Sequence, residues 1–426
     1  MFTACASASE ISDSVKKDYD AHLGALWDHF HRNPELSTVE FKTAKRMANE
    51  LRDAGFVVNE GVGGTGVVAI LKNGEGPMAM MRADMDGLPL EEQTGLSNAS
   101  RARQLHPETG EEVPVMHACG HDVHITSLVG TARQMAARKE LWSGTLMLIV
   151  QPAEEVAQGA RALRTDNIWE RFGEPDYAFA FHVATGNPAG RIKVSEGSTY
   201  AGSSSVDIIV HGVPGHGASP HHAKDPVLIG SQIVVALQTL VSRELAPRSS
   251  GVVSVGSFQS GEARNIIPDK AVLKLTVRYL DDDSRDLLLN GIKRIAVNVG
   301  RAAGLPEEKL PEVIVLDRSV PPTYNDIELT RRLKAAWVST LGEDAVFVQP
   351  ATGMGAEDYP YLVVGTNIKS VYWSIGGTPQ SYLDAAKAGG PRAPGHHSPV
   401  FEIEPESSVR GGVEATVVAL LEVLGK

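Results

Sequence analysis

The sequence predicts an α/β protein in which a central sheet is flanked by helices and a smaller α+β domain is inserted into the main domain. At both ends of the chain, short apolar runs bounded by turn residues alternate with amphipathic helical patterns. The middle of the chain has a different order of elements. The length of 426 residues also exceeds what a single core usually holds. We therefore expect two domains of unequal size.

The first part of the chain alternates helical and strand patterns. The first helical pattern ends before Pro34 and the second ends at Gly55. Segment 97–115 has charged residues, Pro107 and Gly110 but no periodicity, so it is predicted to be a loop. The predicted helices span 11–30, 39–54 and 122–138, and the predicted strands span 67–71, 78–81, 145–150 and 177–183.

The middle of the chain has the pattern of a compact α+β unit. Asp225 and Pro226 begin its first helix, because an acidic cap and a first-turn proline favour a helix start. Gly304 ends its second helix. The predicted strands span 203–210, 252–258, 272–280 and 313–316, and the predicted helices span 225–243 and 284–303.

The main domain then resumes with a helical pattern over 329–341, a strand at 371–375 and a closing helix over 409–424. We place the domain boundaries so that 1–196 and 313–426 form the main domain and 197–312 form the inserted one.

The composition argues against several classes of partner. A net charge of −12 disfavours nucleic acid or an anionic membrane as the main partner. Two cysteines cannot form a disulfide framework, and we see no apolar run that would span a bilayer. The small residues around Cys5 fit either a floppy N-terminus or a trimmed export signal with a lipid-modified cysteine. The compartment therefore stays open between cytoplasmic and periplasmic or secreted.

The stretch 116–124 concentrates side chains that bind metals. It holds Cys119, three histidines and one aspartate. Thiolate and imidazole are the donors that first-row transition metals prefer. Cys119 taken alone would more often be a small core residue. The spacing of Cys119 and His121 nevertheless indicates a metal site.

Further polar clusters follow predicted strands elsewhere. Asp84 and Asp86 follow one strand, Glu154 and Glu155 follow another, and His182 ends a third. Ligands of open α/β sheets bind outside the carboxyl ends of the strands, so these clusters converge on one crevice. Each cluster has a simpler interpretation, such as an acidic first helical turn for the glutamate pair or a buried core histidine for His182. Those interpretations require a separate coincidence for every cluster.

Taken together, these motifs resemble the amidohydrolase branch of the aminoacylase and carboxypeptidase metallohydrolases, which includes hippurate hydrolases and hydrolases of indole-acetyl amino acids. The resemblance extends over nearly the whole chain. The matching stretches are 82–90, 117–124, 151–155, 181–183, 215–226, 261–269, 355–359 and 397–401.

The resemblance implies two divalent metal ions and a role for each nearby residue. Cys119 stands where relatives outside this branch place a bridging carboxylate, Asp86 would orient a histidine ligand, and Glu154 would be the general base and later the general acid. Zinc is expected, with manganese or cobalt as alternatives. His396 is the fallback for one ligand. The implied metal ligands are Cys119, His121, Glu155, His182 and His397.

The inserted domain is implied to act as a lid and dimerisation element, in a homodimer or higher homo-oligomer. By resemblance, His216 stabilises the oxyanion, often in the neighbouring subunit. Asn265 and Arg278 resemble groups that hold a substrate carboxylate, although Arg278 is equally consistent with an exposed strand arginine. Glu357 is a candidate for lining the pocket.

We therefore expect a metal-dependent amidohydrolase that cleaves small N-acyl amino acids into an acid and an amino acid. Loop 98–116 is longer than the family pattern requires, and similar loops occur in exported bacterial relatives that hydrolyse aryl amides such as ochratoxin A. The main alternative is a metallo-dipeptidase or carboxypeptidase on the same scaffold. A metal carrier without turnover and a thiol redox protein using Cys119 are the alternatives from other classes.

Overall fold

The structure is a computed structural model that describes residues 8–347 and 353–426. The chain forms two compact units. The larger unit comprises 8–199, 324–347 and 358–426, and the smaller unit comprises 200–323 and 353–357. Cys5, with its proposed lipid modification, lies outside the described residues.

The described residues contain eighteen strands, most of them short. In chain order they are β1 (Val57–Val62), β2 (Gly66–Asn73), β3 (Met78–Asp84), β4 (Arg103–Leu105), β5 (Glu112–Pro114), β6 (Gly144–Gln151), β7 (Tyr177–Pro188), β8 (Ile192–Lys193), β9 (Gly197–Tyr200), β10 (Gly202–His211), β11 (Gly215–His216), β12 (Gly251–Ser260), β13 (Ile266–Ile267), β14 (Lys270–Tyr279), β15 (Glu312–Val315), β16 (Thr323–Asn325), β17 (Val346–Phe347) and β18 (Lys369–Thr378).

The same part of the chain contains eleven α-helices. A π-helical segment at Tyr19–Leu23 joins the first two, and another at Leu240–Glu244 extends α7. The helices are α1 (Ala8–Asp18), α2 (Gly24–Arg32), α3 (Phe41–Asp53), α4 (His121–Ala136), α5 (Gly159–Thr165), α6 (Ile168–Phe172), α7 (Pro226–Thr239), α8 (Asp282–Ala302), α9 (Ile327–Leu341), α10 (Gln380–Lys387) and α11 (Pro405–Leu424).

The larger unit is built on an eight-stranded sheet with the order β1-β2-β6-β3-β7-β18-β8-β17. Its four middle strands, β6, β3, β7 and β18, are mutually parallel, while β1 and β2 run antiparallel at one side. The parallel strands are almost fully buried, as expected when helices cover both faces of a sheet. This arrangement confirms the predicted fold class.

Helices α4 and α11 are buried along most of their length in the core of the larger unit. The sequence predicted a helix over 122–138, and α4 begins one residue earlier, at His121. Trp337 packs edge-to-face on Trp373 with ring centroids 5.2 Å apart, and its indole N–H donates to the carbonyl of Ala415. The strands that carry the site are thus held by a rigid core.

The smaller unit has a four-stranded antiparallel sheet with the order β12-β14-β10-β15, and α7 and α8 pack with it in one apolar core. Asp225 caps α7 as predicted, accepting from the backbone N–H groups of Val227 and Leu228. The expected boundary at 312 differs from the observed one at Thr323, because β15 pairs with β10 and belongs to this sheet.

The helix formed by α7 and its π-helical extension, Pro226–Glu244, is long and apolar enough by length and composition to cross a membrane, which the sequence expectation overlooked. In the structure, Ile229, Ile233 and Leu237 of this helix are buried in the core of the smaller unit. The core of the smaller unit therefore buries one face of this helix, about 33% of its apolar window.

Two predictions about local structure in the larger unit are wrong. Segment 97–115 is not a plain loop, because β4 and β5 form a short antiparallel hairpin within it. The alternation was hidden because both strands are three residues long and mostly exposed. Strand β1 was missed because it is an edge strand with the mostly solvent-accessible sequence VVNEGV.

A buried arginine joins the ends of the central strands. Arg82 on β3 is fully buried and donates to Gln151 at the end of β6 over 2.8 Å. It also donates to Asp84 over 2.8 Å and to Asp358 over 3.2 Å. The other oxygen of Asp358 accepts the backbone N–H of Ala160, which opens α5. One cation therefore compensates two buried carboxylates.

We predict that Arg82→Met strongly destabilises the protein, since it leaves Asp84 and Asp358 buried without their cation. Removing one partner of a buried ion pair typically costs about 3–5 kcal/mol. Denaturant unfolding at neutral pH measures the loss. The exposed Arg294, which pairs with Glu244, is the matched control, and Arg294→Met should leave the unfolding midpoint nearly unchanged. Equal effects of the two substitutions would contradict the assigned role of Arg82.

Candidate metal centre

The carboxyl ends of β3 and β6 and the middle of β7 bring the polar clusters of the larger unit together. The prediction that His182 ends its strand is wrong, because β7 continues to Pro188. Asp84 of β3 lies opposite Gln151 of β6 in the sheet register. On the other side of β3, Arg82 lies opposite Ala180, which precedes His182 by two residues on β7. The acidic segment after β3, the glutamates after β6 and His182 therefore meet at one edge, as the sequence predicted.

A glycine turn aims Cys119 and His121 at this edge. Gly120 between them has φ +83°, a left-handed conformation that glycine adopts without steric cost. A Cβ atom at Gly120 would lie 2.3 Å from Cγ1 of Val183. Only glycine therefore allows the turn to approach β7 this closely and begin α4 with His121 as its first residue.

The five side chains implied as metal ligands form two overlapping groups of donors. Cys119, His121 and His182 make one group, and Cys119, Glu155 and His397 make the other, with donor atoms within 4.8 Å of one another in each. The Cys119 thiol is common to both groups. Its Sγ lies 3.3 Å from Nε2 of His182, and Nε2 of His397 lies 3.2 Å from a carboxylate oxygen of Glu155.

Hydrogen bonds fix which ring nitrogen of each histidine faces the donors. Nδ1 of His121 donates to the backbone carbonyl of Asp86 over 2.8 Å, so its Nε2 faces the site. Nδ1 of His182 donates to the carbonyl of Val183 over 2.6 Å and leaves Nε2 toward Cys119. Holding one ring nitrogen in this way orients the other for a metal.

The donor set fits a metal ion. Nε2 of His121 and Oε1 of Glu155 are buried without a hydrogen-bond partner, although they lie 3.9 Å apart. Unpartnered buried polar atoms are costly, and a cation would satisfy both of them. Thiolate and imidazole suit zinc, while the carboxylate and imidazoles also accept manganese or cobalt. This edge of the sheet thus offers ligands that would hold a metal ion in either donor group, and the Cys119 thiol belongs to both.

His124 and His396 are bound to the protein rather than free for a metal. Nδ1 of His124 bonds Asp84 over 2.5 Å, and its Nε2 accepts the backbone N–H of Val183 over 2.8 Å. Nε2 of His396 donates to the carbonyl of Val183 over 2.9 Å. Burial lowers the pKa of both rings to about 3, so both stay neutral. Both rings bond the backbone of Val183, so they support the part of β7 that carries His182.

His397 reaches the donor group from an unusual backbone conformation. Its φ of +61° lies in the left-handed region, which is rare for a residue other than glycine. Its N–H donates to the carbonyl of Ala118 over 2.8 Å, which ties the loop directly to the residue before Cys119. Strain of this kind persists where surrounding contacts impose it, and it is common at functional sites.

The charges in the site raise the pKa values of two histidines and the thiol. Burial opposes the protonated His121 ring, but the carboxylates of Asp84 and Asp86 outweigh burial and hold the pKa of His121 well above its usual range. Hydrogen bonds with Cys119 and Glu155 raise the pKa of His397 to about 10. Burial, followed by the charge of Glu155, raises the pKa of the Cys119 thiol. Without metal, protons on these groups balance the anions.

Asp86 and Glu154 complete the site in the larger unit. One carboxylate oxygen of Asp86 accepts the hydroxyl of Ser37 over 2.6 Å and the backbone N–H of Glu155 over 3.0 Å. Asp86 therefore touches the backbone of one candidate ligand, and its carbonyl orients His121. The side chain of Glu154 is 12% exposed and lies 4.0 Å from Nε2 of His121.

The four candidate residues of the inserted domain lie in the smaller unit. His216 lies on β11, which pairs with β13, the short strand directly after Asn265. The side chains of His216 and Asn265 are both exposed. Arg278 lies on β14 opposite Ser203 and Val252 and is half-buried.

Glu357, the fourth of these candidates, is 2% exposed, which is unusual for a carboxylate.

His216 lies next to Asn265 in the smaller unit. The N–H of Gly217, which follows His216, donates to the carbonyl of Asn265 over 2.8 Å.

Sequence reasoning missed the residues that support the site from the loop before α3. Ser37 bonds Asp86, and Glu40 is fully buried and accepts the backbone N–H of Ala153 over 2.8 Å. Neither residue follows a strand or belongs to a metal-binding motif. The only signal in the sequence was Glu40, an acidic residue at the start of the predicted helix 39–54. Helix capping would explain an acidic residue at that position equally well.

A thiol, imidazoles and carboxylates gathered at the carboxyl edge of an α/β sheet define this protein as a metal-dependent hydrolase. Residues 80–388 match peptidase family M20/M25/M40, and the chain belongs to that family.

Its relatives agree with this assignment. The chain is 38% identical to hippurate hydrolase of Campylobacter jejuni over 346 residues, which cover 81% of this chain and 86% of the relative. It is 34% identical to IAA-amino acid hydrolase ILR1-like 2 of Arabidopsis thaliana over 340 residues, covering 78% and 72% of the two chains. These similarities confirm the resemblance inferred from the motifs.

Among solved structures, the chain is similar to the YXEP protein of Bacillus subtilis, described as a dinuclear metal-binding peptidase of the M20 family. The TM-score is 0.76 and the sequence identity 27%, over 96% of this chain and all of that one. This similarity agrees with the observed sheet and the second, smaller unit.

We predict that metal binding releases protons and strengthens as the pH rises. His121, His397 and Cys119 hold protons at neutral pH in the metal-free protein because their pKa values are raised. Each must lose its proton to ligate, so affinity should rise up to about tenfold per pH unit for each proton released. Competition titrations with Zn²⁺ between about pH 6 and pH 8 measure this slope.

The control is His397→Gln, which removes one of these protons and should reduce the slope by about one proton. Binding that is independent of pH would show that these groups are not the ligands.

Proposed function

We propose that the protein hydrolyses the amide bond of N-acyl amino acids and releases a carboxylic acid and an amino acid. The observation that carries this proposal is Glu154, a carboxylate that lies 4.0 Å from Nε2 of His121 and is not part of either donor group that contains the Cys119 thiol, although it forms a further donor group with His121 and Glu155. A structural metal site has no need of a spare base. The similarity to hippurate hydrolase supports an acyl amino acid as substrate.

The ligands would be Cys119, His121, Glu155, His182 and His397, with zinc as the proposed metal. When bound, a pair of such ions acts as a Lewis acid that lowers the pKa of water and polarises an amide carbonyl. Glu154 takes the proton of the attacking water and delivers it to the departing amine. Proton transfer of this kind contributes on the order of a hundredfold or more to the rate.

We further propose that the smaller unit supplies the groups that recognise the substrate. His216 would donate to the developing oxyanion, and Asn265 and Arg278 would hold the substrate carboxylate. Glu357 would line the pocket. The exposure of His216 and Asn265 and their shared two-stranded sheet support this role, because both side chains are open to a ligand.

We also propose that the protein is a homodimer formed through the smaller unit. Val227, Leu228 and Val235 on α7 are 40%, 58% and 72% exposed, which supports an apolar contact surface on this helix. Light scattering should give a mass of about twice 45.5 kDa, and Leu228→Lys together with Val235→Lys should give the monomer mass. A wild-type monomer would overturn this proposal.

We predict that Glu154→Gln lowers kcat/KM for hippurate at least about 100-fold while two metal ions per chain are retained, because the amide cannot accept the proton. Cys119→Ala should lose both metal and activity, since its thiol belongs to both donor groups. Hydrolysis assays with elemental analysis measure both effects. Glu170→Gln, at an exposed position, is the control. Near-normal hydrolysis by the Glu154 variant would exclude this mechanism.

A substrate panel tests the specificity. We expect hippurate-like acyl amino acids to be hydrolysed faster than free dipeptides, and aryl amides of phenylalanine such as ochratoxin A are proposed as members of the accepted class. Preference for free dipeptides would instead indicate a metallo-dipeptidase, in keeping with the peptidase description of the YXEP protein.

A further inference from the structure

One short segment of the larger unit contacts both the segment that carries Asp86 and the segment that carries the candidate glutamates Glu154 and Glu155. It comprises Ser37, Thr38, Val39 and Glu40, and we refer to it as the 37–40 brace. The hydroxyl of Ser37 donates to Asp86 over 2.6 Å. A carboxylate oxygen of Glu40 accepts the N–H of Ala153 over 2.8 Å.

These two contacts hold the backbone on either side of Glu154. Glu40 binds the N–H of Ala153, the residue before Glu154. Asp86, held by Ser37, binds the N–H of Glu155, the residue after it. Ala153 has φ +50°, so this turn is in a conformation that an alanine does not adopt without support. These hydrogen bonds hold the backbone on either side of Glu154, and the carbonyl of Glu154 also accepts the N–H of Ala157 over 2.7 Å.

The brace is itself fixed in place. The same oxygen of Glu40 accepts the N–H of Thr38 over 2.9 Å, and its other oxygen accepts the hydroxyl of Thr65 over 2.5 Å. Gln104 of the β4–β5 hairpin accepts the N–H of Leu36 and donates to the carbonyl of Val39. The brace is thus bonded to the turn between β1 and β2 on one side and to the β4–β5 hairpin on the other.

We propose that Ser37 and Glu40 are positioning residues with separate tasks: Glu40 fixes the general base Glu154, and Ser37 fixes the ligands Glu155 and His121 through Asp86. This inference rests on the proposed function for the role of Glu154. Ser37 acts on the ligands because Asp86 contacts the backbone of Glu155 and, through its carbonyl, the ring of His121. Among the described residues, the carboxylate of Glu40 accepts hydrogen bonds from Thr38, Thr65 and Ala153, and none of these is a candidate ligand.

The chemistry of Glu40 provides a rescue variant. Both groups at one of its oxygens are N–H donors, whereas the group at the other oxygen is a hydroxyl that can also accept. In Glu40→Gln, the amide oxygen can keep both N–H donors and the amide nitrogen can donate to Thr65. Glu40→Ala loses all three bonds, and Glu40→Asp keeps the carboxylate but shortens its reach.

The test compares turnover with metal binding in the full-length protein. Turnover uses whichever amide the wild-type holoenzyme hydrolyses. Metal binding uses Co²⁺ titrated into metal-free protein, with the absorbance of the cobalt–thiolate bond at Cys119 as the signal. We expect Glu40→Ala to lower kcat about 100-fold, with KM and Co²⁺ affinity within about threefold of wild type, because a displaced base slows chemistry only.

Ser37→Ala should instead weaken Co²⁺ binding about 10–100-fold, as loss of a residue that supports metal ligands does. Glu40→Gln should restore wild-type kcat. If Glu40→Ala does not fold, Glu40→Asp carries the test, with a kcat between those of the wild type and a Glu154 variant.

Each result decides the proposal. Wild-type kcat in Glu40→Ala or Glu40→Asp, or unchanged Co²⁺ affinity in Ser37→Ala, would overturn it. Parallel losses of kcat and affinity in both variants would reduce the brace to a general structural element and would also overturn it. If the wild-type protein hydrolyses no amide, the proposed function fails, and the Co²⁺ titration of Ser37→Ala still decides whether the brace supports the ligands.

Discussion

The site depends on how the carboxylates at the sheet edge are compensated. Arg82 is the buried cation of the strand ends, and it is committed to Asp84 and Asp358. Asp84 in turn holds the ring of His124 by a hydrogen bond, and burial keeps that ring neutral. The charges of Asp86, Glu154, Glu155 and a Cys119 thiolate lie beyond the reach of this pairing. Burying that many anions is unfavourable, so protons on His121 and His397 compensate part of the charge in the metal-free protein, and metal ions would compensate it when bound.

The same edge concentrates backbone conformations that are costly elsewhere. Gly120, Ala153 and His397 all have positive φ, and each lies beside or within a candidate catalytic motif. Two of them are not glycine. Such conformations persist only when hydrogen bonds on both sides impose them, as Glu40 does for Ala153 and Ala118 does for His397. Precise ligand placement is thus obtained by spending stability supplied by the surrounding core.

Sequence reasoning predicted the strands and the donors but not their supports. The apolar runs of β3, β6 and β7 are buried on both faces, so their pattern predicted strands. Cys119 and His121 were predicted as metal ligands from their residue types. Strand β1 and the β4–β5 hairpin are exposed and short, and they left no periodic signal. Glu40 was hidden because its partner, Ala153, is far away in sequence and contributes only a backbone N–H.

The division of residues between the two units suggests how this architecture accommodates different substrates. All five candidate ligands and Glu154 belong to the larger unit, whereas His216, Asn265, Arg278 and Glu357 belong to the smaller one. Within the larger unit, the carbonyl of Asp86 holds the ring of His121, and its carboxylate holds the backbone N–H of Glu155. Under the proposed function, substitutions in the smaller unit would alter which acyl group or amino acid is bound, while the metal chemistry would stay with the larger unit. Two relatives are named for different amino-acid conjugates, hippurate and IAA-amino acids, and this difference is consistent with the separation.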